Sequence, residues 1–463
     1  MEEGFTITGN RDRLSFDRKD WKKKLAAGLG NKKIKIISGM NKCGKTFVLK
    51  EFYNEVKRQK PFIHCLYIDT AQKVWNNLFW SENLVKESEN LGTGPAAVFI
   101  DGIQKITDYP RAIEQLAGIS SLDVFMTFQG IFSLVCPEEK IPGNLYEEHL
   151  LLPLSFSEIK RSVGETFPGG ASGQKLMDFY LGYGGLPFLF RFNGDRSDST
   201  EYLELFARSL SFYPYTDTKK IRNPESLTLL LEILGRKTGE NLSAGEISGF
   251  FSELRETMSV QGVLDYIDFC SCRGIIRGIE VSEYSRKEGL WKNLKGSKTY
   301  YFFDLGLRNY FVSLETRDYK GMLPGEEREK RLKNCVFLEL VSRGWKIREG
   351  KIKNKKNGRI DFVCTRVSGF SGNAESGALV SQGSKESLQM NERTEKIFVH
   401  CSASIPVKPF SIPPELDYRE VLSPLLGINE GWKKILVTEE VESGVYRGIN
   451  IVSVKDFLGG FPL

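Results

Sequence analysis

The chain has 463 residues, 40% hydrophobic and 27% charged, a balance that excludes a wholly disordered protein, and at about 150 residues per domain the length predicts about three domains. A formal charge of +6 is small for that length, so it neither demands nor forbids a nucleic-acid or acidic-surface partner. Eight cysteines without a C-x-x-C pair, no basic-then-apolar amino terminus and no run approaching the ~18 apolar residues of a membrane span predict a cytoplasmic protein with no membrane association.

In chain order, the first informative element is the apolar strand Ile34–Ile37, which runs through Ser38 into Gly39-Met40-Asn41-Lys42-Cys43-Gly44-Lys45-Thr46. This is a complete G-x-x-x-x-G-K-T loop, followed by a helix predicted over Lys45–Arg58. Gly39 and Gly44 let backbone N–H groups turn inward around phosphates. Lys45 reaches the β and γ groups, and Thr46 offers a hydroxyl to magnesium at a helix N-terminus that favours anions. The strand before and the helix behind distinguish the match from a glycine turn that binds nothing, and make ATP and Mg2+ the expected ligands.

Further strands at Phe62–Ile68, Ala96–Ile100, Val124–Thr127 and Leu150–Pro153 alternate with helical stretches, which predicts a parallel α/β sheet. Ala96–Ile100 ends in Asp101, the natural magnesium partner, although a strand-end Asp can also simply cap a turn. The next residue is Gly102, where a hydrolase of this type would carry the carboxylate that polarises water; losing a general base usually costs ~10²–10⁴ in rate.

A helical connector follows, broken by Gly182-Tyr-Gly-Gly-Leu-Pro187. Helices over Glu225–Gly235, Ser243–Glu256 and Val260–Cys272, then strands Ile275–Glu283 and Thr299–Phe303 joined by a basic loop, make a winged-helix pattern. Ser259 is a good N-cap, and Val260, Val263, Leu264 and Ile267 share one face expected in the core. The other face carries Gln261, Asp265, Asp268 and Cys272, whose carboxylates repel phosphates, whereas Arg286, Lys287, Lys292, Lys295 and Lys298 attract them. DNA contact and a packing or signalling role therefore remain alternatives. Tyr300–Phe303 reads as a buried wing strand rather than a stacking platform, and His64 and His149, without neighbours at ligand spacing, read as structural. The remainder, with a helix over Glu329–Arg343 and strands at Trp345–Glu349, Arg359–Cys364, Lys396–Cys401, Lys434–Thr438 and Ile449–Val452, is again α/β. Its polar stretch 365–394 is expected to be a flexible surface insertion.

Taken in order, Gly39–Thr46, Asp101–Lys105, Leu152–Glu158, Gly184–Pro187, Tyr301–Leu307 and Gly358–Phe362 carry a resemblance. Over nearly its whole length the chain resembles the prokaryotic ATP-binding proteins that join an AAA-type ATPase domain to a carboxy-terminal nuclease-like domain. The resemblance implies an α/β multidomain protein: an AAA-type P-loop NTPase domain over 1–160, a helical connector over 161–215, a winged helix over 216–318 and a restriction-endonuclease-like α/β tail over 319–463. It implies that ATP is held by Gly39 through Thr46 together with Asp101, Thr127 and Gln129, and magnesium by Thr46 and Asp101.

Several positions depart from the family pattern. Asp101–Gly102 replaces an aspartate–glutamate pair, Thr127-Phe-Gln129 replaces a T-G-S strand end, and Gly143–Asn144 stands where G-R would supply an arginine worth ~10³ or more. In the tail Asp361 survives, but Lys333 replaces a helical glutamate and His400 and Ser402 replace an acid and a lysine. Glu339 is the one acidic stand-in, and a helix-face salt bridge is the competing reading for it. Nuclease activity is not expected. The expectation is a nucleotide-dependent switch with slow or absent hydrolysis that acts on an unidentified protein partner. One alternative is an active ATPase using Asp69, Asp108 or a carboxylate from a neighbouring subunit of a homo-oligomer; another is an ATP-gated DNA-binding protein.

Overall fold

The computed structural model describes residues 16–71, 94–106, 108–137, 140–168, 173–210, 223–313, 325–355, 358–367, 394–406 and 416–463. Near its amino-terminal end five strands, β1 (Ile34–Ser38), β2 (His64–Asp69), β3 (Ala96–Asp101), β4 (Leu122–Thr127) and β5 (Tyr146–Leu150), form a parallel sheet in the order β2-β3-β4-β1-β5. β1 and β3 are buried along their whole length, as strands covered on both faces are, which is why they read as mainly apolar; the buried Lys35 of β1 is paired with Asp123 at 2.8 Å. On one face the helix Lys45–Gln59 wedges Phe52 against Phe99 and Phe125, with ring centroids 5.9 and 5.1 Å away. On the other, Ile36, Val98 and Met126 join a core with Ile113 and Leu116 of the helix Tyr109–Ala117. Because all the strands run the same way, the ends of β1, β3 and β4 open on one edge, where ligands of such sheets sit.

The last strand of this sheet corrects the sequence. The strand expected at Leu150–Pro153 lies earlier, paired with β1 from Ile34↔Tyr146 to Ser38↔Leu150. Its polar run Glu147-Glu148-His149 hid it. Glu148 is fully buried, yet accepts the N–H groups of Phe132 (2.7 Å) and Ser133 (3.1 Å), so the cost of burying it is offset by neighbours remote in sequence.

A second, mixed sheet has nine strands: β6 (Asn241–Ser243), β7 (Ile276–Ser285), β8 (Leu290–Phe302), β9 (Lys346–Ile352), β10 (Arg359–Val367), β11 (Thr394–Ser402), β12 (Lys433–Thr438), β13 (Gly444–Tyr446) and β14 (Ile449–Ser453). Their order is β13-β14-β12-β11-β10-β9-β7-β8-β6. The hairpin β7–β8 and the strands after residue 319 thus belong to one sheet, joined where β7 runs parallel to β9 from Val281↔Glu349 to Tyr284↔Ile352. The insertion expected over 365–394 is shorter at both ends. Thr365, Arg366 and Val367 pair with Lys396, Glu395 and Thr394, and the remaining residues, 368–393, lie outside the described ones.

The helix Val260–Cys272 is turned from its expected phase. Ser259 caps it as predicted, accepting the Gly262 N–H at 3.1 Å, but the buried stripe is Val263, Ile267 and Cys270, while Val260 and Leu264 are 47% and 41% exposed. Both stripes satisfy helical spacing; tertiary packing chooses between them. Tyr300–Phe303 is buried as expected. No helix among the described residues is long and apolar enough to cross a membrane.

Candidate nucleotide site

The glycine loop leaves β1 through Gly39, whose φ of +150° and close approach to Leu151 exclude a side chain: an added Cβ would lie 2.2 Å from the Leu151 carbonyl oxygen. Gly39 and Gly130 exchange backbone hydrogen bonds of 2.7 and 2.8 Å, so the loop is anchored to the end of β4. Gly44, at φ +106°, turns the chain into the helix Lys45–Gln59. Met40 and Cys43 are buried under the loop, whereas Lys42 is exposed and Asn41 accepts the Lys42 N–H at 2.9 Å. The Lys45 amine donates to the carbonyls of Gly39 (2.9 Å) and Met40 (2.7 Å). Desolvation pulls its pKa below the ordinary lysine value, opposed by Cys43 and Asp101.

Asp101 gathers the rest. Thr46 Oγ1 donates to its Oδ1 at 3.0 Å, Thr127 Oγ1 donates to the same oxygen at 2.6 Å while accepting the Gly102 N–H at 2.8 Å, and the Tyr67 hydroxyl reaches Oδ2 at 3.4 Å. Burial, then Asp101 and Asp69, raise the Tyr67 phenol, which stays a donor. The pairing of an exposed Thr46 hydroxyl with a nearly buried carboxylate is a donor set that fits a hard divalent cation. Of the residues expected here, Gln129 donates its N–H to Gln104 Oε1 at 3.3 Å.

Gly102 explains its own departure from pattern. Its φ is +86°, and a Cβ would stand 2.8 Å from Thr70 Oγ1, which itself lies 2.6 Å from the Asp101 carbonyl oxygen. The missing carboxylate is therefore a property of the backbone as well as of the side chain. Asp69 lies in register beside Asp101, with its Oδ1 accepting the Ala71 N–H at 3.0 Å. Asp108 is exposed at the start of the helix Tyr109–Ala117.

Beside Gly44 and Phe47 opens a cavity of about 540 Å³ that the sequence did not announce. Its far wall is aromatic, with Phe188 stacked on Tyr202 at 5.0 Å and crossed by Phe192 at 5.4 Å. Its near wall includes Arg18 and Pro187. The walls come from four separated segments, so no contiguous motif could reveal them.

Residues 31–160 match the family described as AAA domain. This part of the chain is an AAA-type P-loop ATPase domain. Over the longer chain, an uncharacterized protein of Haemophilus influenzae is 21% identical across 92% of this chain and 94% of its own length. An uncharacterized protein of Methanocaldococcus jannaschii is 24% identical across 72% of each. Among solved structures, a Walker-type ATPase of Pyrococcus abyssi aligns with 64% of this chain and 96% of its own at 14% identity and a TM-score of 0.45. The Orc1 protein of Aeropyrum pernix, solved in complex with DNA, aligns with 67% of this chain and 95% of its own at 14% identity and a TM-score of 0.32.

The AAA domain touches the three-helix segment directly. The Ile131 N–H, one residue from the Gly39–Gly130 bridge, donates to the Cys272 carbonyl at 2.8 Å. Two residues on, Gly274 lies so close to the loop that a Cβ there would be 3.3 Å from the Met40 nitrogen. Of the basic residues in and beside the β7–β8 hairpin, Arg286 donates to the Gly427 carbonyl at 2.7 Å and Lys292 pairs with Glu288 at 3.0 Å; on the third helix Gln261 donates to Asp265 at 2.9 Å.

In the second sheet Asp361 is fully buried. Lys333 Nζ lies 3.2 Å from Oδ1 and His400 Nδ1 2.7 Å from Oδ2, which accepts the Cys401 N–H at 2.9 Å. Burial alone would raise this carboxyl; Lys333, His400 and Arg359 outweigh it and hold the pKa well below the usual range. An ammonium thus faces the carboxylate that the resemblance associates with metal. Ser402 donates to the Ser404 carbonyl at 2.7 Å, and Glu339 pairs with Arg343 at 2.7 Å. Among the described residues no group of three or more His, Cys, Asp or Glu is placed to hold a metal ion.

Proposed function

We propose that the protein is a nucleotide-dependent switch: ATP with magnesium docks at Lys45, Thr46 and Asp101, and its presence resets the helix Val260–Cys272 and the sheet behind it, with hydrolysis slow or absent. The observation that carries the reading is the backbone string from the loop to that helix, Gly39 to Gly130 and Ile131 to Cys272. A loop that rearranges around phosphates cannot do so without moving the partner of that string. Lys45 would hold the terminal phosphates, and Thr46 and Asp101 would hold the magnesium, which would supply charge neutralisation there. Thr127 and Tyr67 hold the Asp101 carboxylate in place by donating to it. The slow-hydrolysis part rests on Gly102, where no general base stands.

The test pairs labelled-ATP binding in magnesium with phosphate release and with amide exchange over residues 260–272, using Lys45→Ala as the blank. Binding with little release, and exchange that changes on ATP addition only when Lys45 is present, is the expected result. Exchange indifferent to nucleotide would sink the switch.

One observation favours a second reading, an active ATPase. Asp69 lies in register beside Asp101 at the same sheet edge, which puts a second carboxylate near the site. Turnover that Asp69→Asn lowers by ~10²-fold or more, the usual scale for a lost general base, would select it.

A further inference from the structure

Arg18 precedes every recognisable motif, just ahead of the helix Lys19–Ala27. It is only 3% exposed, and its guanidinium is gripped on two sides: Nη2 donates to the Leu152 carbonyl at 3.1 Å and Nε faces Glu158 Oε1 at 3.5 Å. Glu158 is itself fixed in a capping box. Its Oε2 accepts the Ser155 N–H at 2.9 Å, and Ser155 Oγ accepts the Glu158 N–H at 3.3 Å. The run Leu152–Glu158, to which no task had been attached, therefore acts as a holder for a guanidinium.

The third nitrogen is the telling one. Arg18 Nη1 is buried without a hydrogen-bond partner among the described residues and stands 3.9 Å from where a Gly44 Cβ would lie; Arg18 and Gly44 are both among the residues lining the cavity. A buried donor left unpaired is costly, and a side chain held in that attitude is prepared for an oxygen that none of the described residues supplies. Lys45 and Thr46 serve the terminal phosphates, while the cavity leads from Gly44 and Phe47 to the rings of Phe188, Phe192 and Tyr202. A nucleotide that threads from the loop into the cavity must bring its α-phosphate past Gly44, and a guanidinium prefers an anionic oxygen.

We infer that Arg18 is a nucleotide ligand whose Nη1 donates to the α-phosphate, with the ring-lined cavity receiving the nucleoside. This rests on nucleotide binding by the loop, as proposed above. The full chain is tested by displacement of labelled ATP with ATP, ADP and inorganic pyrophosphate, the last standing for the β and γ groups alone. Arg18→Met should weaken ATP and ADP roughly ten- to hundredfold, the usual worth of a hydrogen bond to a charged group, and leave pyrophosphate displacement unchanged. Glu158→Gln, which loosens the holder but keeps the arginine, should weaken ATP and ADP less and in the same pattern; it decides the matter if Arg18→Met does not fold. ATP affinity unaltered in both variants, or pyrophosphate weakened as much as ATP, would overturn the assignment, the second result meaning that Arg18 only props up the loop. Wild-type protein that binds no ATP, or binds it equally as Lys45→Ala, would remove the site itself and this ligand with it.

Discussion

Gly102 illustrates how much one residue's backbone can decide. Its left-handed φ and the Thr70 hydroxyl 2.8 Å from an added Cβ mean that Gly102→Glu cannot simply restore a general base. The variant should lose about 1–3 kcal/mol of stability from strain without gaining phosphate release, read by thermal unfolding alongside a turnover assay. Asp304 makes a second residue-scale prediction. It is buried and accepts the N–H groups of Gly185 and Leu307, each at 2.9 Å, and burial raises its pKa to about 6, partly opposed by those hydrogen bonds. The folded state then holds more protons than the unfolded one between about pH 4 and 6, so this group's contribution falls as pH rises through that window and is constant above it. Asp304→Asn should remove that slope from the variant's own unfolding free energy, so that the wild type's excess stability over the variant falls as pH rises from about 4 to 6 and is constant above. The variant should also cost about 1–3 kcal/mol, because an amide leaves a backbone N–H unpaired. Lys333 gives a third: Lys333→Met strips a buried carboxylate of its nearest cation and should destabilise by about 3 kcal/mol or more, seen as a lower urea midpoint.

At the scale of elements, packing decided what periodicity left open. The helix Val260–Cys272 carries two apolar stripes; Val263, Ile267 and Cys270 are buried rather than the stripe through Val260 and Leu264, and its carboxy-terminal end meets Ile131 and the phosphate loop. Strand β5 was concealed by Glu148, whose burial is offset by N–H groups on a distant turn. Gly274→Ala tests the helix contact. At φ +66° an alanine is strained by about 1–2 kcal/mol, and its Cβ would meet Met40 at 3.3 Å. The expected outcome is ATP binding retained with the nucleotide-dependent exchange over residues 260–272 lost; an unchanged response would separate the helix from the loop.

Across the whole molecule the segments are fastened at a few backbone joints rather than by a broad apolar seam alone. Leu154 donates to the Gly185 carbonyl at 2.8 Å, Gly185 donates to Asp304, and Gly306 packs so closely that a Cβ would lie 1.9 Å from the Tyr183 carbonyl oxygen. The Gly184–Pro187 and Tyr301–Leu307 runs are thus two halves of one joint, and Pro187, at its edge, lines the nucleotide cavity. This joint ties the end of β8 to the segment that lines the cavity.

Phosphate chemistry requires Gly39, Gly44, Lys45 and Thr46 to be contiguous and Asp101 to end a buried strand, so the candidate site's centre was legible in the sequence. The same holds for most of the parallel sheet, because strands covered on both faces are mainly apolar; β5, with its buried Glu148, is the exception. Arg18, Tyr67, Thr70 and the aromatic cavity were not legible, since they reach the site from separate segments and carry no local pattern. The fusion of the hairpin β7–β8 with the later strands was hidden for a related reason: which edge a strand offers to a partner depends on hydrogen bonds between chain segments far apart. Local chemistry can be written in neighbouring residues, whereas strand pairing, helix phase and the placing of a guanidinium depend on distances that only the folded chain sets.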